Sequence, residues 1–181
     1  RPSGPVAAWS AVFIGTALAF PGSTLYHLSP SDATLVWDRL PIGVAFAGFF
    51  VALLAEHTGE EGRRASRPAL AGLLALAALS VGWWRMTGDL SAWIWIQLAP
   101  MLAVPLVLWL LPAQWTHRHY YLYALACYAG AKLLELWDQR VMDWSGGLVS
   151  GHPLKHLAAA AGVAFFCLML ARRRPVEPPA R

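Results

Sequence analysis

Six apolar stretches, each about as long as a membrane-spanning helix, dominate the sequence and restrict what it can fold into. A helix needs about 20 mostly apolar residues to cross the hydrocarbon core. The stretches cover residues 6–27, 38–56, 68–84, 91–111, 119–138 and 152–171. With 57% hydrophobic and 13% charged residues, the chain is too apolar for an ordinary soluble domain of 181 residues. The sequence therefore predicts an all-α fold, a polytopic transmembrane helix bundle in a lipid bilayer.

The loops between the stretches are short, which favours antiparallel neighbours within one bundle. We expect residues 1–174 to form a single transmembrane helical domain. Residues 175–181 are charged and rich in proline, and we expect them to form a disordered C-terminal tail. Cys127 and Cys167 lie well inside predicted helices, where a thiol behaves as a small apolar group, so no disulfide is expected.

The basic residues predict how the bundle is oriented. If successive helices alternate in direction, one side of the membrane receives Arg1, Arg63, Arg64, Arg67, Arg118, Arg172, Arg173, Arg174 and Arg181. The other side receives Arg39, Arg85, Arg140 and Lys155. By the positive-inside rule the first side is cytoplasmic, together with the C-terminus. Abundant arginine and alanine without asparagine suggest a bacterial source, and hence the inner membrane. This distribution explains the basic pI without nucleic acid as a partner.

An ionisable side chain within the bilayer costs free energy, so it is expected to have an interaction partner or a functional role. Ser23 and His27 end the first stretch in "GSTLYHL", four residues apart and hence on one helix face. Asp38 in "VWDRLP" is expected in the first turn of the second helix. His152 and His156 open the last helix in "SGHPLKHL", again four residues apart. Alternation of the helices places all five residues at the non-cytoplasmic face.

This set of side chains suits a zinc site. A catalytic zinc has three protein ligands and an open fourth position, and two histidines four residues apart on a helix can bind one metal. His27 would supply the third ligand. Asp38 would accept a proton from the water that zinc acidifies to a pKa of about 7. Ser23 would donate a hydrogen bond to the developing oxyanion.

The remaining polar and aromatic residues are expected to have structural roles. We expect His57, His117 and His119 to be solvated at the interface. A structural ion pair inside the bundle is expected among Lys132, Glu135 and Asp138. As an alternative, Asp138 is a candidate to support a metal-binding histidine by a hydrogen bond. Lys155 should extend to the lipid headgroups. Aromatic residues near predicted helix ends are expected to anchor the chain in the interface. They are Trp37, Trp83, Trp84, Trp93, Trp115, Tyr120, Tyr121 and Trp144.

The order and spacing of these motifs resemble the CREST superfamily of membrane hydrolases, and within it the alkaline ceramidase family, especially its bacterial members. The resemblance rests on "GSTLYHLSP", "LVWDRLP" and "SGHPLKHL". It implies a seven-helix bundle, of which this chain would contain helices two to seven. It also implies zinc-dependent hydrolysis of the amide bond of ceramide or a similar acyl lipid. His27, His152 and His156 would hold the zinc, Asp38 would orient or deprotonate the water, and Ser23 would stabilise the oxyanion.

The resemblance leaves other points and two other functions open. The animal ceramidases also bind calcium through an acidic N-terminal segment, which nothing before the first stretch matches, so calcium is not predicted. A receptor or sensor of the related progestin and adipoQ receptor type would use a similar zinc site for signalling. A haem-binding electron carrier would also place histidines on facing helices, but would not need Ser23 or Asp38.

Overall fold

The computed structural model describes residues 5–176, and the regular secondary structure in that range is entirely α-helical. The helices are α1 (Val6–Leu28), α2 (Asp32–His57), α3 (Gly59–Thr87), α4 (Ser91–Leu110), α5 (Tyr120–Leu136), α6 (Asp138–Trp144) and α7 (Gly151–Arg172). The all-α prediction is confirmed. These seven helices include the short α6, so their number does not test the seven-helix bundle that the resemblance implies.

Five helices, α1, α2, α3, α4 and α7, are long and apolar enough to cross a membrane. Large apolar side chains on their surfaces are exposed, for example Phe20 on α1, Leu79 on α3 and Trp109 on α4. An extensive exposed apolar surface is unusual for a protein in water. These features fit an integral, multi-pass membrane protein and indicate a lipid bilayer as its surroundings.

The predicted span over residues 119–138 is divided into two helices. α5 ends at Leu136, and the seven-residue α6 begins at Asp138. α5 has 17 residues, at the lower end of the length that crosses a bilayer. Lys132 and Glu135 lie in its last two turns, and their charges shorten its apolar part. α5 is therefore not among the five helices with the length and composition of a membrane span.

The described chain divides into two compact units. The first extends to Gln114 and contains α1 to α4, and the second begins at Trp115 and contains α5 to α7. The single domain expected over residues 1–174 stays a prediction. Residues 177–181, most of the expected disordered tail, lie outside the described residues.

Glycines allow the backbones of α1 and α2 to approach closely in the first unit. A Cβ atom at Gly15 would lie 2.5 Å from the backbone nitrogen of Ala45, and one at Gly48 would lie 2.6 Å from the carbonyl oxygen of Ala8. Real Cβ atoms are not found so close to backbone atoms. Small residues at such contacts are typical of helix pairs in membranes, because close van der Waals packing replaces the hydrophobic effect there.

In the second unit α7 packs along α5. A Cβ atom at Gly162 would lie 3.3 Å from the Cβ atom of Cys127, and the rings of Tyr121 and Phe166 are 5.9 Å apart. Where α5 begins and α7 ends, a guanidinium nitrogen of Arg172 donates a hydrogen bond to the Tyr120 hydroxyl at 3.0 Å. Cys127 is a free thiol within this contact. These contacts fix the register of α7 and therefore the position of its N-terminal turn.

Candidate metal centre

The residues predicted for the site are divided between the two units. Ser23, His27 and Asp38 belong to the first, and His152 and His156 to the second. Ser23 is half-buried and His27 is exposed in the last two turns of α1, which ends at Leu28. The four-residue spacing on a continuous helix places both side chains on one face, as predicted.

Asp38 is not in the first turn of its helix, so this part of the prediction is wrong. α2 begins at Asp32, six residues earlier, because Ser31 and Thr34 cap it. The Thr34 N–H donates to the Ser31 hydroxyl oxygen at 3.2 Å, and the Ser31 N–H donates to the Thr34 hydroxyl oxygen at 3.1 Å. This reciprocal capping stabilises a polar first turn. Asp38 therefore lies about 9 Å along the helix from Asp32 and is half-buried.

A glycine contact sets the level of Asp38 relative to Ser23. A Cβ atom at Gly22 would collide with the carbonyl oxygen of Trp37 and would lie 3.3 Å from the Cα atom of Asp38. Gly22 directly precedes Ser23, so α1 and α2 touch at the turns that carry Ser23 and Asp38. Within the first unit, the structure therefore brings these two predicted residues to the same level.

Replacing Gly22 by alanine should destabilise the protein. The new methyl group meets backbone atoms, which cannot move aside as a flexible side chain could, and overpacking of this kind costs about 1–3 kcal/mol. Gly72→Ala is the matched control, because nothing lies within 4 Å of a Cβ atom at Gly72 on α3. Alanine there should be neutral or stabilising by up to about 1 kcal/mol. Thermal unfolding of both variants in detergent micelles measures the difference, and equal stability would contradict the close contact at Gly22.

The N-terminal turn of α7 is held by two hydrogen-bond acceptors. The backbone N–H of His152 donates to Oδ1 of Asp138 at 2.6 Å and to the hydroxyl oxygen of Ser150, the N-cap residue, at 3.3 Å. Pro153 follows within the first turn, where a missing N–H costs no hydrogen bond, as the sequence indicates. A Cβ atom at Gly151 would collide with the carbonyl oxygen of Leu134, so α7 begins directly against α5.

His152 and His156 present two ring nitrogens at the spacing of metal ligands. Their Nε2 atoms are 3.2 Å apart, and their ring centres are 4.9 Å apart at an angle of 71°. Two nitrogens bound at about 2.0–2.1 Å to one tetrahedral zinc ion would be about 3.3 Å apart. His152 is half-buried and His156 is exposed. The pair therefore fits two positions of a zinc coordination sphere without rearrangement of α7.

Asp138 supports His152 through a hydrogen bond to its backbone N–H. Hydrogen bonds from the Ser150 side chain and then from the His152 N–H lower the pKa of the Asp138 carboxyl. The carboxylate also lies where the helix dipole of α7 favours negative charge. Asp138 thereby fixes the turn from which His152 projects.

The predicted ion pair of α5 is confirmed for Lys132 and Glu135, but its predicted location inside the bundle is wrong. Glu135 pairs with Lys132 at 2.9 Å and with Lys155 of α7 at 2.7 Å, whereas Asp138 forms no salt bridge within residues 5–176. The Lys132 and Glu135 side chains are 44% and 42% exposed, so the pair lies at the surface. Lys155 does not extend to the headgroups as predicted. Its ammonium group connects α7 to α5, close in sequence to both histidines.

A buried polar cluster in the first unit was missed in the sequence. Glu56 and His57 are only 3% and 4% exposed, so the prediction that His57 is solvated is wrong. The Trp9 indole N–H donates to a Glu56 carboxylate oxygen at 2.6 Å, and Nδ1 of His57 lies 2.8 Å from the Leu53 carbonyl oxygen. The polar segment that follows His57 favours a solvated position for this residue. Glu56 and His57 also end a long apolar span, however, where an ionisable side chain costs free energy unless it has a partner, and this feature of the sequence correctly indicates a buried cluster.

No protein-family model matches the chain, and searches of curated proteins and of solved structures find no similar protein. The likeness to alkaline ceramidases therefore rests on the motifs in the first, second and last apolar stretches.

Proposed function

We propose that the chain is an intramembrane zinc-dependent hydrolase that cleaves the amide bond of a ceramide-like lipid. The observation that carries this proposal is the 3.2 Å separation of the His152 and His156 Nε2 atoms, which suits two ligands of one zinc ion. The motifs shared with alkaline ceramidases support the same chemistry.

His27 is the proposed third ligand. With His152 and His156 of the second unit, His27 of the first would complete a set of three ligands, with one imidazole nitrogen offered by each residue. Three neutral imidazoles form a set that zinc commonly takes in enzymes, with a fourth position left open. When bound, zinc polarises an acyl carbonyl and makes water acidic near neutral pH.

Asp38 would transfer the proton during the reaction, and Ser23 would stabilise the negative charge that develops. Asp38 would accept a proton from the attacking water, whose oxygen forms a bond to the acyl carbon. The Ser23 hydroxyl would donate a hydrogen bond to the negative charge that develops on the carbonyl oxygen. As the carbon–nitrogen bond breaks, Asp38 would return the proton to the departing amine. The products would be a free fatty acid and a sphingoid-type amine.

Apolar side chains beside the proposed ligands favour a lipid substrate. Leu28 follows His27 at the end of α1, and Leu157 follows His156 on α7, and both are largely exposed. In a bilayer such side chains contact acyl chains, so a lipid could approach sideways from the membrane. The distribution of arginines supports placing this site at the non-cytoplasmic face of a bacterial inner membrane, with the C-terminus in the cytoplasm.

Lipid turnover tests the proposal without assuming ceramide. Purified protein is incubated with a bacterial lipid extract to which ceramide has been added, and the products are measured by mass spectrometry. A variant with both His152→Ala and His156→Ala is the control. We expect matched gains of fatty acid and amine with the parental protein only. A zinc-containing protein that leaves every lipid unchanged would favour the receptor function, and a Soret absorbance band would favour haem.

A further inference from the structure

A second polar group, which the proposed hydrolase does not use, lies among α2, α3 and α4 of the first unit. The guanidinium carbon of Arg39 lies 3.7 Å from the ring centre of Trp84 and 5.2 Å from that of Trp93. Trp84 was predicted to anchor the chain at the membrane interface, but it is buried against Arg39 instead. The two indoles therefore hold a cation at one end of the first unit.

Stacking leaves two buried hydrogen-bond donors unused. Nη1 of Arg39 and Nε1 of Trp93 are buried without a hydrogen-bond partner in the described part of the chain. A cation–π contact uses the flat face of the guanidinium group, whereas its N–H bonds lie in the plane and need acceptors. Buried donors without acceptors are rare in proteins, and two on neighbouring side chains indicate an acceptor that belongs to neither.

Asp38 acts on the charge of Arg39 electrostatically but does not form a salt bridge with it. Within residues 5–176, no carboxylate forms a salt bridge with Arg39. Ser80 lies one turn before Trp84 and Gln97 one turn after Trp93, and both are buried. The Ser80 hydroxyl donates to the Ala77 carbonyl oxygen at 2.8 Å, so it is already satisfied. The Gln97 amide lies on the same face of α4 as Trp93 and adds further hydrogen-bonding capacity.

We infer that Arg39 and Trp93 form a binding site for an oxyanion, and that the phosphate of a membrane phospholipid fills it. Arginine binds phosphate oxygens with charge-assisted hydrogen bonds in the plane of the guanidinium group. Trp84 lies in the last turn of α3 and Trp93 in the first turn of α4, so the site is near the end of both helices. The ends of membrane-spanning helices lie near the headgroup phosphates of the bilayer. Trp83 is exposed beside the site, where acyl chains could contact it.

Native mass spectrometry of the full chain in detergent tests this site. The probes are dioleoyl phosphatidylglycerol, dioleoylglycerol, which lacks the phosphate, and inorganic phosphate. Trp93→Phe keeps an aromatic ring over Arg39 but removes the N–H donor. Trp95→Phe is the matched control, an exposed tryptophan on the same helix. We expect Trp93→Phe to retain about ten-fold less phosphatidylglycerol than the parental protein, as for the loss of one hydrogen bond to a charged group, and Trp95→Phe to retain as much.

Four results would overturn the inference. Equal retention of phosphatidylglycerol and dioleoylglycerol would show that the phosphate is not recognised. If Trp93→Phe and Trp95→Phe lost the same amount of bound phosphatidylglycerol, the indole N–H of Trp93 would not be part of the site. Binding of inorganic phosphate but not of phosphatidylglycerol would assign the oxyanion site to the free ion. Arg39→Lys keeps the charge without the planar guanidinium group, and retention of the lipid at the parental level in that folded variant would also contradict the assignment.

Discussion

Purified His156→Ala protein is expected to contain almost no zinc after dialysis, whereas the parental protein is expected to contain about one ion per chain. The binding free energy of a structural zinc site with four ligands is about 10–16 kcal/mol, so each ligand contributes roughly 3 kcal/mol. Loss of one ligand should therefore lower the zinc affinity by more than about 100-fold. The measurement is elemental analysis of zinc per chain, with circular dichroism to verify that the helices remain.

His119→Ala is the matched control for this prediction. His119 is also exposed, but it lies at the start of α5, where its ring stacks on Tyr120 at 4.7 Å between centres. Zinc content should not change in this variant. Parental zinc content in His156→Ala would remove His156 from the ligand set and would take away the observation that carries the proposed function.

His27→Ala separates the two parts of the proposed ligand set. If all three histidines bind one ion, the loss of the His27 side chain should lower the zinc content as much as the loss of the His156 side chain does. Retained zinc in His27→Ala, together with lost zinc in His156→Ala, would restrict the metal to the second unit. In that case the proposed third ligand and the proposed position of Asp38 in catalysis would both be wrong.

Hydropathy and spacing located most of the long helices because both depend on local sequence. The starting points of α1, α4 and α7 agree with the apolar stretches to within one residue. The start of α2 was missed because its first turn is polar and is held by the Ser31 and Thr34 side chains. A hydropathy criterion treats such a turn as a loop, although the capping residues were present in the sequence.

Contacts between distant residues could not be predicted in this way. The approach of Gly22 to Trp37 and Asp38 depends on how α1 and α2 cross. A glycine in a sequence does not indicate which other part of the backbone it contacts. The pairing of Lys155 with Glu135 likewise depends on the register between α5 and α7. For the candidate site, spacing on one helix correctly predicted the arrangement of His152 and His156. It did not predict that Asp138 holds the His152 N–H.

Asp38→Asn should reduce lipid hydrolysis by roughly 10²–10⁴-fold, the usual contribution of a general base, while zinc stays bound. An amide has nearly the shape of a carboxylate but does not accept a proton from water, and Asp38 is not among the proposed ligands. Asp32→Asn is the matched control, since Asp32 is an exposed carboxylate at the start of the same helix. It should leave the rate unchanged. The residual activity of Asp38→Asn should rise with pH, because hydroxide replaces the missing base. Hydrolysis at the parental rate would show that Asp38 does not activate the water, even if the metal site is correct.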